Sequence, residues 1–313
     1  MAHKTDWFYG KKWGAFIHLL NGVQNSPGRA ANMGAGHFDW SDYIDTLDAD
    51  FIADQIAEAN AGYLFLTIMQ RSKHMLAPNE TYDKITGYKP GEACAKRDFT
   101  EDMYQALNKR GIELLLYFTG DGPLDDPIAG PAFGFTNYDT QKVTAEFAQK
   151  WADVLKEYAQ KYGKKVKGWW VDGCYPFIGY DEPKLKFFAD AIKAGNPEAL
   201  VALNVGVEAR VSAYSVSDDF TTGEQNEFAD LPDSRFIGGA QWHTLSFLGI
   251  PPDGTAYNGW CQPKSKYTGE YMRDYVEKVH ERGGVVTIDL CMYRDGHIDK
   301  DQMDVIKALK NLR

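Results

Sequence analysis

The chain has 313 residues, of which 44% are hydrophobic, 25% charged and 14% aromatic; these are globular proportions that exclude disordered, collagen-like and low-complexity readings. Its 34 Lys and Arg against 44 Asp and Glu leave a net charge of −10. That balance argues against duplex nucleic acid, whose phosphates demand clustered cations, and against an anionic membrane surface.

The opening Met1-Ala2-His3-Lys4-Thr5-Asp6 lacks the apolar core of a signal peptide, so the expected location is cytoplasmic, or periplasmic or secreted if a leader has been removed. No apolar run reaches the roughly 18 residues of a spanning helix. From there, short apolar runs alternate with longer amphipathic ones. Strands are predicted at 13–20, 63–70, 112–119, 166–173, 199–206, 215–220, 236–243 and 285–292. Several are rich in Val, Ile and Leu without clean alternation, as in parallel strands covered on both faces.

Helices are predicted at 51–60, 100–110, 143–162, 183–194, 269–282 and 300–312. In the third of these, Phe147, Trp151, Leu155 and Tyr158 recur every three or four positions, one face of a helix. Lys109-Arg110-Gly111 and Arg282-Gly283-Gly284 read as helix stops.

Eight strands separated by helices are the arithmetic of a (β/α)8 TIM barrel. It is expected to be irregular around strands 5 to 7, because no helix is predicted between 206 and 215 or between 220 and 236. An open doubly wound sheet is the alternative, but no G-x-G-x-x-G follows the first strand. With no linker, composition break or internal repeat, residues 1–313 read as one domain. Loop-rich stretches at 21–39, 120–136 and 249–264 are candidate rims of a cleft.

Barrel enzymes gather their chemistry at the C-terminal ends of the strands. Those positions hold His18, Gln70 with Arg71, Tyr117 with Asp121, Asp172, Asn204, Asp218 with Asp219 and Glu224, Trp242 with His243, and Asp289 with Asp295. The set is polar, acidic and aromatic. No G-x-S-x-G elbow and no H-E-x-x-H is present, the histidines are scattered, and Cys94, Cys174, Cys261 and Cys291 form no C-x-x-C pair. Neither a metal nor a cofactor is expected. A barrel hydrolase with a metal on the acidic strand ends is the least favoured of three function classes. The eight Trp, 18 Tyr and 17 Phe suit either a bulky core or a cleft that stacks rings on pyranose faces.

Asp172 is the sharpest residue, ending the apolar run Trp169-Trp170-Val171 before Gly173. A carboxylate there reads as a nucleophile, or as an Asp-Gly turn. Glycoside hydrolysis needs a second acid, for which Glu224 and Glu227 compete.

Several segments together resemble the α-L-fucosidases of glycoside hydrolase family 29. Lys12-Trp13-Gly14-Ala15-Phe16-Ile17-His18 is similar to the family's F-G-x-F-I-H-W-G, and Ala61-Gly62-Tyr63-Leu64-Phe65-Leu66-Thr67 to A-K-Y-x-x-L-T. Trp170-Val171-Asp172-Gly173 resembles the W-x-D-G that carries the nucleophile, and Thr222-Gly223-Glu224-Gln225 the T-P-E-Q in which many members place an acid. Gly283-Gly284-Val285 through Asp289, then Asp295-Gly296-His297-Ile298, follow in register with the family's G-G-N-x-L-L-N and D-G-x-I.

The departures lie in the sugar pocket. The family's K-H-H-D-G-F is replaced by Ile68-Met69-Gln70-Arg71-Ser72, its W-G after the first histidine by Leu19-Leu20, and a late W-E by Trp242-His243. The family's C-terminal β-sandwich has no counterpart before Arg313. The resemblance implies a retaining exo-glycosidase acting on an oligosaccharide or glycoconjugate, with a sugar other than L-fucose admitted by the altered pocket. Asp172 would be the nucleophile and Glu224 the acid, with His18, Gln70, Arg71, His74, Tyr117, Trp170, Asn204, Trp242 and His243 around the sugar; the guanidinium of Arg71 would suit an acidic one. The alternative is a carbohydrate-binding protein on the same scaffold that does not cleave. Oligomeric state is not legible.

Overall fold

The computed structural model describes residues 3–255 and 258–312. Met1 and Ala2 of the N-terminal segment, residues 256 and 257 of the predicted 249–264 rim, and Arg313 lie outside them.

The chain forms strands β1 (Trp13–Ile17), β2 (Tyr63–Thr67), β3 (Glu113–Thr119), β4 (Val166–Asp172), β5 (Leu200–Leu203), β6 (Phe236–Ile237), β7 (Ala240–Gln241), β8 (His243–Phe247) and β9 (Val285–Leu290). Seven of them make one parallel sheet in the order β5-β4-β3-β2-β1-β9-β8. The architecture is α/β, a curled partial barrel with helices on its outer face. Each of the six predicted helices is present, the longest at Ala145–Tyr162. Gly111 and Gly283 sit past their helix ends at φ 68° and 96°, as the stop signals required. The short helices Asp6–Lys11, Trp40–Asp45, Glu80–Thr86 and Ala129–Phe133 carry too few turns for a periodic signal.

The two-residue period of a strand sorts side chains between an outer and an inner core. On β4, Trp169 and Val171 join the outer, helix-covered core, whereas Trp170 turns inward. On β3, Leu114, Leu116 and Phe118 face outward, and Leu115 and Tyr117 inward. The same alternation carries Phe16 inward from β1 and aims His18 and Asp172 at the mouth of the sheet. Phe8, from the helix at Asp6–Lys11, plugs the opposite end against Tyr63 and Phe220, with ring centroids 4.9 and 5.1 Å away.

Strands 5 to 7 are irregular, as expected, and the irregularity has two physical causes. At the sixth position the run 215–220 does not become a strand. Its consecutive acids Asp218 and Asp219 take the amide protons of Leu203 and Val201 on their carboxylates, at 2.9 and 3.0 Å, in place of backbone carbonyls. The segment then continues extended, bonding Thr221 N–H to Gln241 and Gln225 N–H to Leu245, and accepting from Leu245 N–H at Gly223. It thereby meets β5 on one side and β7–β8 on the other. Gly223 is at φ 59°, and a Cβ there would fall 2.0 Å from the His243 carbonyl oxygen; only glycine allows this approach.

At the seventh position, Gly238 and Gly239 lie in the middle of the predicted strand 236–243, at φ 58° and 94°. Two successive positive φ angles make a two-residue hairpin turn, so β6 and β7 fold back on each other. The sheet strand proper starts only at His243.

Candidate active site

β4 ends in Asp172, whose carboxylate is held from three directions. The Tyr117 hydroxyl donates to Oδ2 at 2.7 Å, Asn204 Nδ2 to Oδ1 at 2.8 Å, and the Tyr175 hydroxyl to Oδ1 at 3.4 Å. Tyr117 in turn accepts from Gln70 Nε2 at 2.9 Å and stacks on Trp170, centroids 5.5 Å apart. The Trp170 indole is fixed by its N–H to the Thr222 carbonyl at 3.1 Å.

Asn204 follows β5 and is fully buried. The same Nδ2 also donates to Glu224 Oε2 at 2.6 Å, so each carboxylate takes one amide proton. The two acceptor oxygens cannot be further apart than the sum of those contacts, about 5.4 Å. Burial, and then the charge of Asp172, push the Glu224 carboxyl up to about 8, against the opposing hydrogen bond from Asn204. One site thus holds a carboxyl whose proton is retained well above the ordinary carboxylate range beside a second that accepts three hydrogen bonds.

A cavity of about 190 Å³ opens in front of this pair, lined by Phe16, His18, Leu20, Val23, Arg29, Gln70, Tyr117, Trp170, Asp172, Glu224, Leu245, Trp260 and Cys261. It is smaller than the ~300–1,000 Å³ of sites for drug-sized ligands, a scale suited to one sugar ring. His18 hydrogen-bonds Asp289 through Nδ1 at 2.7 Å, which leaves Nε2 for a ligand, and its ring lies 5.9 Å from that of Trp260.

His18, Cys261 and Asp289 are the described residues whose donor atoms come close enough to share a metal ion, all within 4.8 Å. Of the three, Asp289 has both of its donor atoms engaged within the protein. Asp289 gives one oxygen to His18 and the other to the Cys261 N–H at 3.0 Å, and burial holds the Cys261 thiol well above its usual range.

Behind the pair, Asp121 is buried and accepts from the hydroxyls of Thr119 and Tyr138. Burial pushes its carboxyl up to about 7. Outside the cavity, Tyr175 stacks on Phe177, centroids 5.1 Å apart, and Phe177 is exposed.

Of the twelve residues singled out in the sequence, His18, Gln70, Tyr117, Trp170, Asp172 and Glu224 line the cavity and Asn204 bridges the acids from beneath. The other five lie elsewhere. Arg71 is at φ 57°, a left-handed turn that sends its guanidinium to Asp125 at 3.1 Å and over the Tyr138 ring. His74 packs against Trp40, and burial pushes its imidazole down to about 4. Glu227 is exposed and lines a separate groove with Glu208 and Asp230.

Because β8 begins at His243, Trp242 and His243 stand at the N-terminal end of a sheet strand, remote from the mouth. Trp242 packs in the outer core. His243 is bonded at Nδ1 to the Thr221 carbonyl and at Nε2 to the Thr287 hydroxyl, 2.8 and 2.6 Å away. Two lining residues that the sequence did not single out, Arg29 and Trp260, come from the predicted rims at 21–39 and 249–264. The loops were readable from composition, but not which of their side chains turn inward.

No family model and no curated protein matches the sequence. Solved structures match in fold. Among them are an α-L-fucosidase of family 29 from Bacteroides thetaiotaomicron (16% identity, TM-score 0.66, covering 100% of this chain and 73% of that one) and the α-L-fucosidase AlfC from Lactobacillus casei in complex with its α-L-fucose product (16%, 0.65, 99% and 97%). The endo-fucoidan hydrolase P5AFcnA of family 107 is a third (15%, 0.68, 97% and 92%). The structural neighbours are glycosidases that process fucose-containing sugars, and at these identities what is shared is the fold.

Proposed function

We propose that the protein is a retaining exo-glycosidase on a (β/α)8 barrel whose sixth stave is the extended 219–225 segment, and that residues 1–313 act as one catalytic domain. Asp172 attacks the anomeric carbon as Glu224 gives its proton to the departing glycosidic oxygen, forming a glycosyl ester on Asp172. Glu224, now a carboxylate, takes a proton from water; that water attacks the anomeric carbon and releases Asp172.

The observation that carries this reading is the shared Asn204 amide, which keeps the two acids within about 5.4 Å. Retaining enzymes hold their pair ~5–5.5 Å apart, and inverting enzymes need ~6.5–9.5 Å for an intervening water. The raised Glu224 carboxyl agrees, since the acid must hold its proton until the glycosidic oxygen departs. Trp170, Tyr117 and Trp260 offer aromatic surface, and His18 and Gln70 hydrogen bonds, to the ring. The neighbours point to fucose or a related sugar as the terminal residue, while the absence of an imidazole pair at Gln70-Arg71 favours a sugar with different substituents. The test is turnover of a panel of aryl glycosides followed by proton NMR. Release of the same anomer that was supplied supports the reading, and release of the opposite anomer overturns it.

A further inference from the structure

The cavity contains one arginine that the hydrolytic scheme does not use. Arg71, Arg97, Arg110, Arg210, Arg235 and Arg273 each meet a carboxylate. Arg29 lines the cavity, and among the described residues its guanidinium forms no ion pair or hydrogen bond. Arg29 is exposed at the mouth of the cavity, so its guanidinium is open to an anionic group that enters with a ligand.

Its backbone is anchored by buried neighbours. Asn32 accepts no solvent and bonds the Gln24 carbonyl at 2.9 Å. Gln24, also buried, ties the loop to the carbonyls of His18 and Met292 at 2.8 and 2.9 Å, and the Ala31 carbonyl accepts from Arg294 N–H at 2.8 Å. The loop therefore presents Arg29 from a fixed base beside Cys261 and Trp260.

We propose that Arg29 recognises an anionic substituent, a carboxylate or a sulfate ester, on the sugar that occupies this cavity. The guanidinium offers paired N–H donors that match two oxygens of either group, a fit no single hydroxyl provides. Repulsion from the Asp172 carboxylate orients the ring, because the anionic group is disfavoured beside it and favoured on the side of the 21–39 loop. The inference rests on the glycosidase reading for the identity of the pocket, but it concerns binding and is tested without turnover.

The experiment is calorimetric titration of the protein with free uronic acids and sulfated monosaccharides, each against its neutral parent sugar, repeated with Arg29→Gln and Arg29→Lys. At least one anionic sugar should bind wild type about 10-fold or more tighter than its parent, in keeping with a charge-assisted hydrogen-bond pair. The ratio should fall to near one in Arg29→Gln and lie between in Arg29→Lys, and whether the uronate or the sulfate series shows it identifies the group. No preference in either series, or one that survives Arg29→Gln, overturns the inference. An Arg29-dependent preference in a protein that turns over no glycoside would sustain it and contradict hydrolysis. Turnover of neutral glycosides without any anionic preference would do the reverse.

Discussion

Asp172 and Glu224 are joined through a single nitrogen, Asn204 Nδ2, which gives one proton to each at 2.8 and 2.6 Å. The amide sets the separation of the acids and stabilises both as anions. Replacing it with Asn204→Ala should lower kcat/KM about 100-fold, the scale of losing charge-assisted hydrogen bonds at a reacting pair. The alkaline limb of the pH profile should also move to higher pH, since Glu224 loses a donor that favours its charged form. A drop in rate with an unmoved alkaline limb would show that Asn204 does not act on Glu224.

The Glu224 carboxyl, pushed up to about 8, should set the alkaline limb. The proposed mechanism requires the protonated form, so kcat/KM should decline as pH rises through about 8. The same shift is a stability statement. The native state holds a proton that the unfolded chain releases near its ordinary value of 4.5, so the contribution is fully present below that pH and is lost as pH rises to about 8. Glu224→Gln should therefore melt higher than wild type at pH 9 by a margin that shrinks toward pH 5. A margin independent of pH would remove Glu224 as the titrating group.

Tyr117 supports Asp172 at 2.7 Å and is itself oriented by Gln70 at 2.9 Å. Tyr117→Phe keeps the stacked ring and removes the donor, and is expected to reduce kcat about 10- to 100-fold with little change in melting temperature. Rates within twofold of wild type would mean the hydroxyl is dispensable to the role proposed for Asp172.

His243 has both ring nitrogens satisfied in the interior. His243→Ala should cost about 3 kcal/mol of stability, from the cavity and from the Thr221 and Thr287 groups left unpaired. Activity per folded molecule should be retained, which urea titration and assays at low temperature would check. A catalytic defect without loss of stability would place the imidazole at the substrate instead.

The sequence was most legible where one strand lies between two covering layers. β4 was expected at 166–173 and runs Val166–Asp172, and the alternation of Trp169, Trp170, Val171 and Asp172 alone puts the acid at the mouth. It was least legible where a local backbone state overrides pattern. Gly238-Gly239 breaks an apolar run into a hairpin, so Trp242 and His243 change ends of the sheet. Asp218 and Asp219 replace a ladder by carboxylates, and the left-handed turn at Arg71 sends the expected anion-binding fork to Asp125. A motif fixes the position of a side chain in the chain, but the direction it points depends on φ and on neighbours distant in sequence. For that reason Arg29 and Trp260 were visible only as members of loops.

The covalent role of Asp172 can be tested most directly by trapping. Incubation with a 2-deoxy-2-fluoro glycoside bearing an activated leaving group slows breakdown of the ester more than its formation, and mass spectrometry of the digested protein then locates the label. The account predicts one sugar per chain, carried on the peptide containing Asp172 and absent from Asp172→Ala. A label on any other residue, or steady hydrolysis with inversion and no labelled peptide, would contradict it.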